Sequence, residues 1–196
     1  MDELCFPYRD LEDMENRIIY YETIRGCPFS CSYCLSSVEK SVRLRSLSTV
    51  KRELQFFLDK RAPQVKLIDR TFNCSHSHAM EIWRYIQEHD NGVTNFHFEI
   101  AAELLNEEEL AILKDMRPGL VQLEIGVQTT NRDTLAAINR SGDTACIART
   151  VAEINEGRNI HIHLDLIAGL PFEGYESFKK SFNEVYAMAP LQLQLG

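Results

Sequence analysis

The chain has 196 residues, enough for one domain with a sizeable core, and carries a formal net charge of −8. This acidic balance argues against general nucleic-acid binding, because affinity for phosphate depends largely on basic groups. No apolar run approaches the ~20 residues that span a bilayer, and the N-terminus lacks a signal-peptide pattern, so we expect no membrane association and a cytoplasmic protein.

Short β-branched or aromatic runs alternate along the chain with stretches of helical period. Strands are predicted at 17–24, 65–69, 96–100, 121–127, 160–169 and 191–195. Helices are predicted at 48–58, 78–89, 106–116, 131–138, 143–157 and 175–188. Regular alternation predicts right-handed βαβ units and a parallel sheet, hence an α/β fold. Six strands are two units short of a closed eight-stranded barrel, so a partial barrel is predicted.

The domain organisation follows from these elements. Residues 1–16 are predicted to be an N-terminal lead-in segment, and residues 17–196 the core domain. Because the last predicted element is a bare strand, we expect this core to be cut from a longer protein.

Four predicted strands carry polar side chains on one face. Parallel strands that are covered on both sides are normally hydrophobic throughout, so a polar face predicts a ligand-binding cavity. His161 and His163 are the candidates for substrate contact or proton transfer. An antiparallel sheet with one wetted face, and histidines that only fill the interior, are the alternatives. The polar set comprises His97, Glu99, Gln122, Glu124, Gln128, His161, His163, Asp165, Gln192 and Gln194.

Three of the six cysteines, Cys27, Cys31 and Cys34, lie in the stretch RGCPFSCSYC (25–34). In a reducing compartment, clustered thiols indicate metal ligands or catalytic groups rather than disulfides. A closed zinc site uses four protein ligands, and iron–sulfur clusters normally use four cysteines. Three thiolates therefore suit a cluster that leaves one iron open. A zinc or redox knuckle with the same spacing is the alternative.

The C-x3-C-x2-C spacing, with Tyr33 before the third cysteine, resembles the signature of the radical S-adenosylmethionine (SAM) superfamily. This resemblance implies a partial (β/α)6 barrel of the TIM type and a four-iron–four-sulfur (4Fe–4S) cluster on the three cysteines. It also implies SAM on the open iron, reductive cleavage to a 5′-deoxyadenosyl radical, and hydrogen abstraction from an unknown substrate. The implied partner is an electron donor such as flavodoxin or ferredoxin.

Three further segments, GVQTTN (126–131), INR (138–140) and DLIAGLP (165–171), resemble those of the oxygen-independent coproporphyrinogen III oxidase group. The cysteine loop and EIGVQT look closest to bacterial proteins with an upstream cobalamin-binding domain, so cobalamin is a further implied cofactor, held by a domain outside these residues. By resemblance, the residues that contact the ribose, methionine or adenine parts of SAM are Tyr33, Glu99, Gln128, Arg140, Asp165, Gly169 and Pro171.

One segment departs from the family pattern. The family's second strand ends in a glycine-rich segment that binds the SAM amino group, whereas DRTFNCSH (69–76) has no glycine. We expect Asp69 or Thr71 to take that role.

Two questions stay open at this level. Cys74, His76 and His78 form a second candidate metal set, which the polarity of a loop leading into a helix explains equally well. The alternative function is a non-catalytic iron–sulfur or zinc protein in which the cysteine loop is structural or transfers electrons. An inactive fragment is a third reading. Substrate and reaction outcome are not determined by these motifs.

Overall fold

The computed structural model describes residues 1–12, 14, 17–38 and 40–196. Its helices and strands alternate as predicted along most of the chain. In chain order they are β1 (Ile19–Tyr21), β2 (Ile24–Arg25), β3 (Arg43–Leu44), α1 (Leu47–Asp59), β4 (Gln64–Leu67), α2 (His76–Glu88), β5 (Asn95–Ile100), α3 (Glu107–Lys114), β6 (Val121–Gln128), α4 (Arg132–Ala137), α5 (Thr144–Gly157), β7 (His161–Leu166), α6 (Tyr175–Tyr186) and β8 (Gln192–Leu195).

Six strands form one sheet in the order β1-β4-β5-β6-β7-β8, and every pairing in it is parallel. The predicted βαβ progression is confirmed, and the antiparallel alternative is wrong. The strand predicted at 17–24 is shorter than expected: β1 ends at Tyr21, and the chain continues into β2, which pairs antiparallel with β3. The segment that connects these two paired strands contains the three clustered cysteines.

The apolar face of the sheet packs against the helices and forms the core. Phe98 of β5 contacts Trp83 of α2 edge-on, and both side chains are fully buried. In α2 the buried residues Ala79, Ile82 and Ile86 recur at helical spacing, so one stripe of the helix faces the sheet. Burying a side chain of this size contributes roughly 1.5–3 kcal/mol. The helices therefore cover only the apolar face, and the polar side chains line the concave side.

Side-chain caps begin helices α1, α3, α4 and α5, whereas α2 and α6 have none. Asn106 accepts from the backbone N–H of Glu109, whose carboxylate accepts from the N–H of Asn106. This capping box confirms Asn106 as the predicted N-cap of α3. Helix α2 begins at His76, two residues before the predicted start.

Among the described residues, no helix combines the length and the apolar character needed to cross a membrane.

The lead-in segment packs on the outside of the first strand. The hydroxyl of Tyr8 donates to the carbonyl of Tyr20 at 2.7 Å, and Phe6 meets the ring of Phe56 edge-on at 5.2 Å. Residues 13, 15 and 16 of this segment lie outside the described residues. The boundary between residues 16 and 17 stays a prediction.

A buried carboxyl group joins the ends of β1 and β4. Asp69 is completely buried and accepts three hydrogen bonds: from the N–H groups of Thr23 (2.7 Å) and Ile24 (2.8 Å), and from the Thr23 hydroxyl (2.5 Å). Burial raises the pKa of Asp69 to about 7, although the hydrogen bonds oppose the shift. The expectation that Asp69 binds the SAM amino group is therefore corrected: its carboxyl group is occupied within the fold.

We expect Asp69→Asn to keep this junction, because its amide oxygen can accept both N–H groups and its amide nitrogen can donate to the hydroxyl. Asp69→Ala leaves two buried N–H groups unpaired and should lower the free energy of unfolding by about 2–5 kcal/mol. Between the ordinary pKa of 3.8 and about 7, the folded protein holds a proton that the unfolded chain has lost. Stability of the natural protein relative to Asp69→Asn should therefore fall as pH rises through that window.

Denaturant unfolding of both variants and the natural protein from pH 4 to 8 checks this expectation. Equal destabilisation by the asparagine and alanine substitutions, or a difference that does not vary with pH, would contradict it.

Candidate functional site

A cavity of about 180 Å³ opens at the C-terminal ends of the strands. It brings the three cysteines of the loop together with polar residues from β5, β6 and β7. In parallel α/β folds this end of the sheet is where ligands bind. The residues that line it are Cys27, Phe29, Cys31, Tyr33, Cys34, Arg70, Thr71, Glu99, Ile100, Ala101, Glu103, Glu124, Gly126, Gln128, Arg140, Ser141 and Asp165.

The cysteine loop turns at Gly26, which has a φ of +94°. A Cβ atom there would collide with the backbone carbonyl of Ser41, so only glycine allows this close approach. Cys27 and Cys31 are buried, and Cys34 is half-buried. The Thr71 hydroxyl lies 3.5 Å from the Cys27 sulfur. The loop thus presents three reduced thiols to the cavity.

The INR segment holds this loop from the opposite side. The carbonyl of Ile138 accepts from the N–H of Ser32 at 2.8 Å, and the Asn139 amide donates to the carbonyl of Ser30 at 3.0 Å. Arg140 donates from Nη1 to the Cys31 sulfur at 3.7 Å. Asn139 adopts a φ of +52°, a conformation that asparagine tolerates better than most residues. The segment therefore fixes the loop as well as lining the cavity.

The three thiols are not arranged as ligands of one shared zinc ion. Two sulfurs bound to one zinc ion lie at most about 4.6 Å apart, twice the Zn–S bond length of about 2.3 Å. Within the described part of the chain, the ligand atoms of His97, Glu124 and His163 are the only set of three that lie within 4.8 Å of one another. At least two of the three cysteine sulfurs therefore lie farther apart than one zinc ion spans.

The end of β6 is shaped around Gln128. Its φ is +71°, and the pairing with β7 shifts register between Gly126 and Gln128. A Cβ atom on Gly126 would press on the Gln128 amide nitrogen, and the guanidinium of Arg140 donates to the Gly126 carbonyl. Strained backbone of this kind is kept where the surrounding structure imposes it, commonly at functional sites. The bulge directs the Gln128 side chain towards the cavity.

Three buried polar atoms of residues that line the cavity have no hydrogen-bond partner among the described residues. They are Oε1 of Gln128, Nε of Arg140 and Oδ1 of Asp165. Leaving such a group unpaired costs about 1–3 kcal/mol, so a bound polar ligand is the natural partner. These atoms line the same cavity as the three thiols and Glu99, which fits a ligand with both amino-acid and ribose groups.

The predicted carboxylates also reach the cavity, at unequal depth. Glu99 and Asp165 side chains are 21% and 17% exposed, so both are accessible to a ligand. Burial, reinforced by the nearby Glu124 carboxylate, raises the pKa of Glu99. Tyr33 lies at the mouth, where partial burial raises its hydroxyl pKa and the Arg140 guanidinium opposes the shift. Five of the predicted SAM contacts, Tyr33, Glu99, Gln128, Arg140 and Asp165, thus share one cavity.

Four other predicted site residues lie elsewhere. His163 is buried beneath the cavity, with Nε2 2.9 Å from Oδ1 of Asp165. His161 lies on the same face of β7, two residues nearer its N-terminal end, and burial lowers the pKa of its imidazole. Gly169 and Pro171 form the turn after β7, with a φ of +82° at Gly169, outside the cavity lining. Their proposed contacts stay predictions.

The second candidate metal set does not converge on an ion. His76 places Nδ1 3.0 Å from a carboxylate oxygen of Glu109, so it belongs to the start of α2 and the cap of α3. His78 is buried in the same helix, and burial lowers its pKa. Cys74 is half-buried, and burial raises its thiol pKa. Of the two readings, the structure favours the loop and helix start.

Several lining residues were not predicted. Arg70 places Nη1 3.8 Å from Oε2 of Glu99, and Glu103 and Ser141 border the same opening. Arg70 lies one residue beyond the predicted strand end at Asp69, where parallel strands place ligand contacts, and that signal could have found it. Glu124 had been assigned to the polar face but not to the site.

Comparison with known proteins identifies the family. The sequence matches the radical SAM superfamily over residues 21–185. The chain therefore belongs to the radical SAM superfamily, which confirms the resemblance noted from the cysteine loop.

Three similar proteins illustrate the match. The 2-(S-pantetheinyl)-carbapenam-3-carboxylate methyltransferase of Streptantibioticus cattleyicolor is 27% identical over 165 residues, covering 81% of this chain and 24% of that protein. Oxygen-independent coproporphyrinogen III oxidase of Salmonella typhimurium is 34% identical over 110 residues, covering 52% and 23%. The radical SAM methyltransferase TsrM of Kitasatospora setae, solved with cobalamin and a 4Fe–4S cluster, superposes with a TM-score of 0.79 at 18% identity, covering 92% of this chain and 36% of that chain.

These matches show both the fold of the chain and the share of its relatives' length that it covers. The superposition confirms the partial (β/α)6 barrel. The chain spans about a quarter of the length of the curated relatives it matches. It corresponds to the catalytic core of such proteins.

We expect Gly26→Ala to lose most of the iron that the natural protein takes up on reconstitution, because the new methyl group displaces the loop from the Ser41 carbonyl. Gly92→Ala is the matched control: Gly92 has a φ of +73°, but nothing lies within 4 Å of its added Cβ. That control should cost only the left-handed strain of about 1–2 kcal/mol. Iron per chain and thermal unfolding of both variants test this, and equal iron content in the two would contradict the expectation.

Proposed function

We propose that the cavity binds a 4Fe–4S cluster on Cys27, Cys31 and Cys34 with SAM beside it, and that the chain cleaves SAM reductively to a 5′-deoxyadenosyl radical. The observation that carries this proposal is the meeting of three thiols with three unpaired buried polar atoms in one cavity. A structural staple needs neither the unpaired atoms nor the carboxylates.

The residues divide the work of binding. When bound, the reduced cluster supplies the electron that breaks the S–C5′ bond of SAM. The three thiolates would hold the cluster, and the Arg140 guanidinium, which donates to the Cys31 sulfur, would offset part of their charge. The carboxylates of Glu99 and Asp165 accept from ribose hydroxyls, while Gln128 offers its unpaired oxygen. Tyr33 covers the opening on the adenine side. The protein supplies positioning and electrostatics, and the cofactors supply the radical chemistry.

For the whole protein we propose a methyl transfer that uses cobalamin bound outside these residues. This proposal rests on two of the similar proteins being methyltransferases, one of them solved with cobalamin. The similarity to coproporphyrinogen oxidase covers 52% of this chain, and we attribute it to the shared SAM apparatus. We further propose that a small carrier such as flavodoxin or ferredoxin reduces the cluster, in a reducing cytoplasm.

The proposal is tested by anaerobic cluster reconstitution and electron paramagnetic resonance of the reduced protein with and without SAM, with 5′-deoxyadenosine quantified in the same sample. We expect a four-iron signal that changes on SAM addition, together with formation of 5′-deoxyadenosine. Both should be lost in Cys31→Ala, which removes a buried ligand. Cys146→Ala, at a half-buried thiol on α5, is the matched control and should behave like the natural protein.

Zinc in place of iron, or a cluster signal that SAM leaves unchanged, would contradict the proposal and favour a non-catalytic iron–sulfur or zinc protein. A SAM-dependent signal without 5′-deoxyadenosine would keep the binding site and overturn the radical step.

A further inference from the structure

A group of titratable side chains lies on the concave face of four adjacent strands. It extends from the cavity into the interior of the half-barrel, and it is held together by ion pairs rather than by contact with the cysteine loop. Buried charges of this kind are retained only when each one is paired. We call this group the interior charge network; it comprises Lys66, His97, Glu99, Glu124, His163 and Asp165.

The carboxylate of Glu124 is the centre of the network. Its Oε2 lies 2.8 Å from Nζ of Lys66, 2.9 Å from Nε2 of His97 and 4.0 Å from Nδ1 of His163. The His97 imidazole, followed by the Lys66 ammonium, lowers the pKa of Glu124 to about 2. Glu124 is therefore an anion at any physiological pH, and its partners are fixed around it.

Two partners of Glu124 each contact a further carboxylate that lines the cavity. On one side, Nζ of Lys66 lies 3.7 Å from Oε1 of Glu99 as well as bonding to Glu124. On the other side, His163 lies between Glu124 and Asp165, 2.9 Å from the latter, and the Asp165 carboxylate raises the pKa of His163. Lys66 and His163 do not line the cavity themselves. They contact it through the lining carboxylates of Glu99, Glu124 and Asp165.

A metal ion is the competing explanation, since ligand atoms of His97, Glu124 and His163 lie within 4.8 Å of one another. The carboxylate of Glu124 already has a cationic partner, because the Lys66 ammonium donates to its Oε2 at 2.8 Å. The charge of that carboxylate is thereby balanced without an ion. Close contacts join the members of the network, although Nε2 of His97, Nε2 of His163 and Oδ1 of Asp165 make no hydrogen bond within the described residues.

We propose that Lys66 and His163, held by Glu124, are positioning residues that fix Glu99 and Asp165 for the ribose hydroxyls of SAM. This inference rests on the proposed function of the cavity. Outer partners that orient ligand-contacting groups typically contribute tenfold to a hundredfold to affinity where they have been removed, chiefly at metal sites. Their substitution should therefore act on ribose recognition and leave the cluster in place.

The test measures dissociation constants for SAM and for its analogue lacking the 2′-hydroxyl group, by calorimetry on the anaerobically reconstituted protein. In Lys66→Gln, and separately in His163→Gln, we expect SAM to bind about tenfold more weakly. The 2′-deoxy analogue should change much less, so that discrimination between the two ligands shrinks. Gln122→Ala is the matched control, because Gln122 lies on the same face of β6 as Glu124, two residues nearer the N-terminal end. This variant should discriminate between SAM and the 2′-deoxy analogue as well as the natural protein does.

Iron content and thermal unfolding are measured alongside, and two variants are used so that one failure to fold leaves the other informative. Equal weakening of both ligands, or unchanged SAM binding, in a variant with full iron content would overturn the inference. So would a metal other than iron in the natural protein that is lost on Glu124→Gln. Failure of the natural protein to bind SAM would instead remove the proposed function.

Discussion

Charge balance on the concave face is the constraint on which the site depends. The strands alternate, so each side chain turned away from the helices faces an interior with little water. Glu124 can lie there as an anion because Lys66 and His97 are within 2.9 Å of one of its oxygens. The same balance extends to Glu99 and Asp165 and delivers two carboxylates to the cavity mouth. The polar side chains of the interior thus form an ordered binding surface, because their charges are paired and do not destabilise the fold.

The cysteine loop depends on contacts from two directions. Asp69 fixes the chain where β1 gives way to the loop, through the N–H groups of Thr23 and Ile24. The INR segment holds the far side through Ser30 and Ser32. Because both anchors come from parts of the sequence remote from the loop, the thiols are placed by the whole barrel. This explains how a short loop with little regular structure can hold three ligands in a fixed arrangement.

The sequence was sufficient for the fold and for most of the cavity. Alternation in β5, β6 and β7 identified the concave face, since period 2 leaves no other choice once helices cover the apolar side. The strand register could not be predicted, because nothing in VKLID shows which residues of β5 and β6 lie beside Lys66. In the structure Lys66 aligns with His97, and His97 with Gln122. The Lys66 side chain then reaches past β5 to Glu124, two residues further along β6. For the same reason Asp69 was predicted to bind ligand. In the structure its carboxyl group instead accepts hydrogen bonds from Thr23 and Ile24, which follow β1. His76 likewise reads as a metal ligand until the start of α2 and its contact with Glu109 are known.

The most direct test of the central claim is an anaerobic crystal structure of the reconstituted protein with SAM. We predict a 4Fe–4S cluster on Cys27, Cys31 and Cys34, with the amino and carboxylate groups of SAM on the fourth iron. The ribose should lie against Glu99 and Asp165, and Gln128 and Arg140 should gain partners for the atoms that now lack them. A single zinc ion, a fourth protein ligand on the cluster, or SAM bound outside this cavity would contradict it.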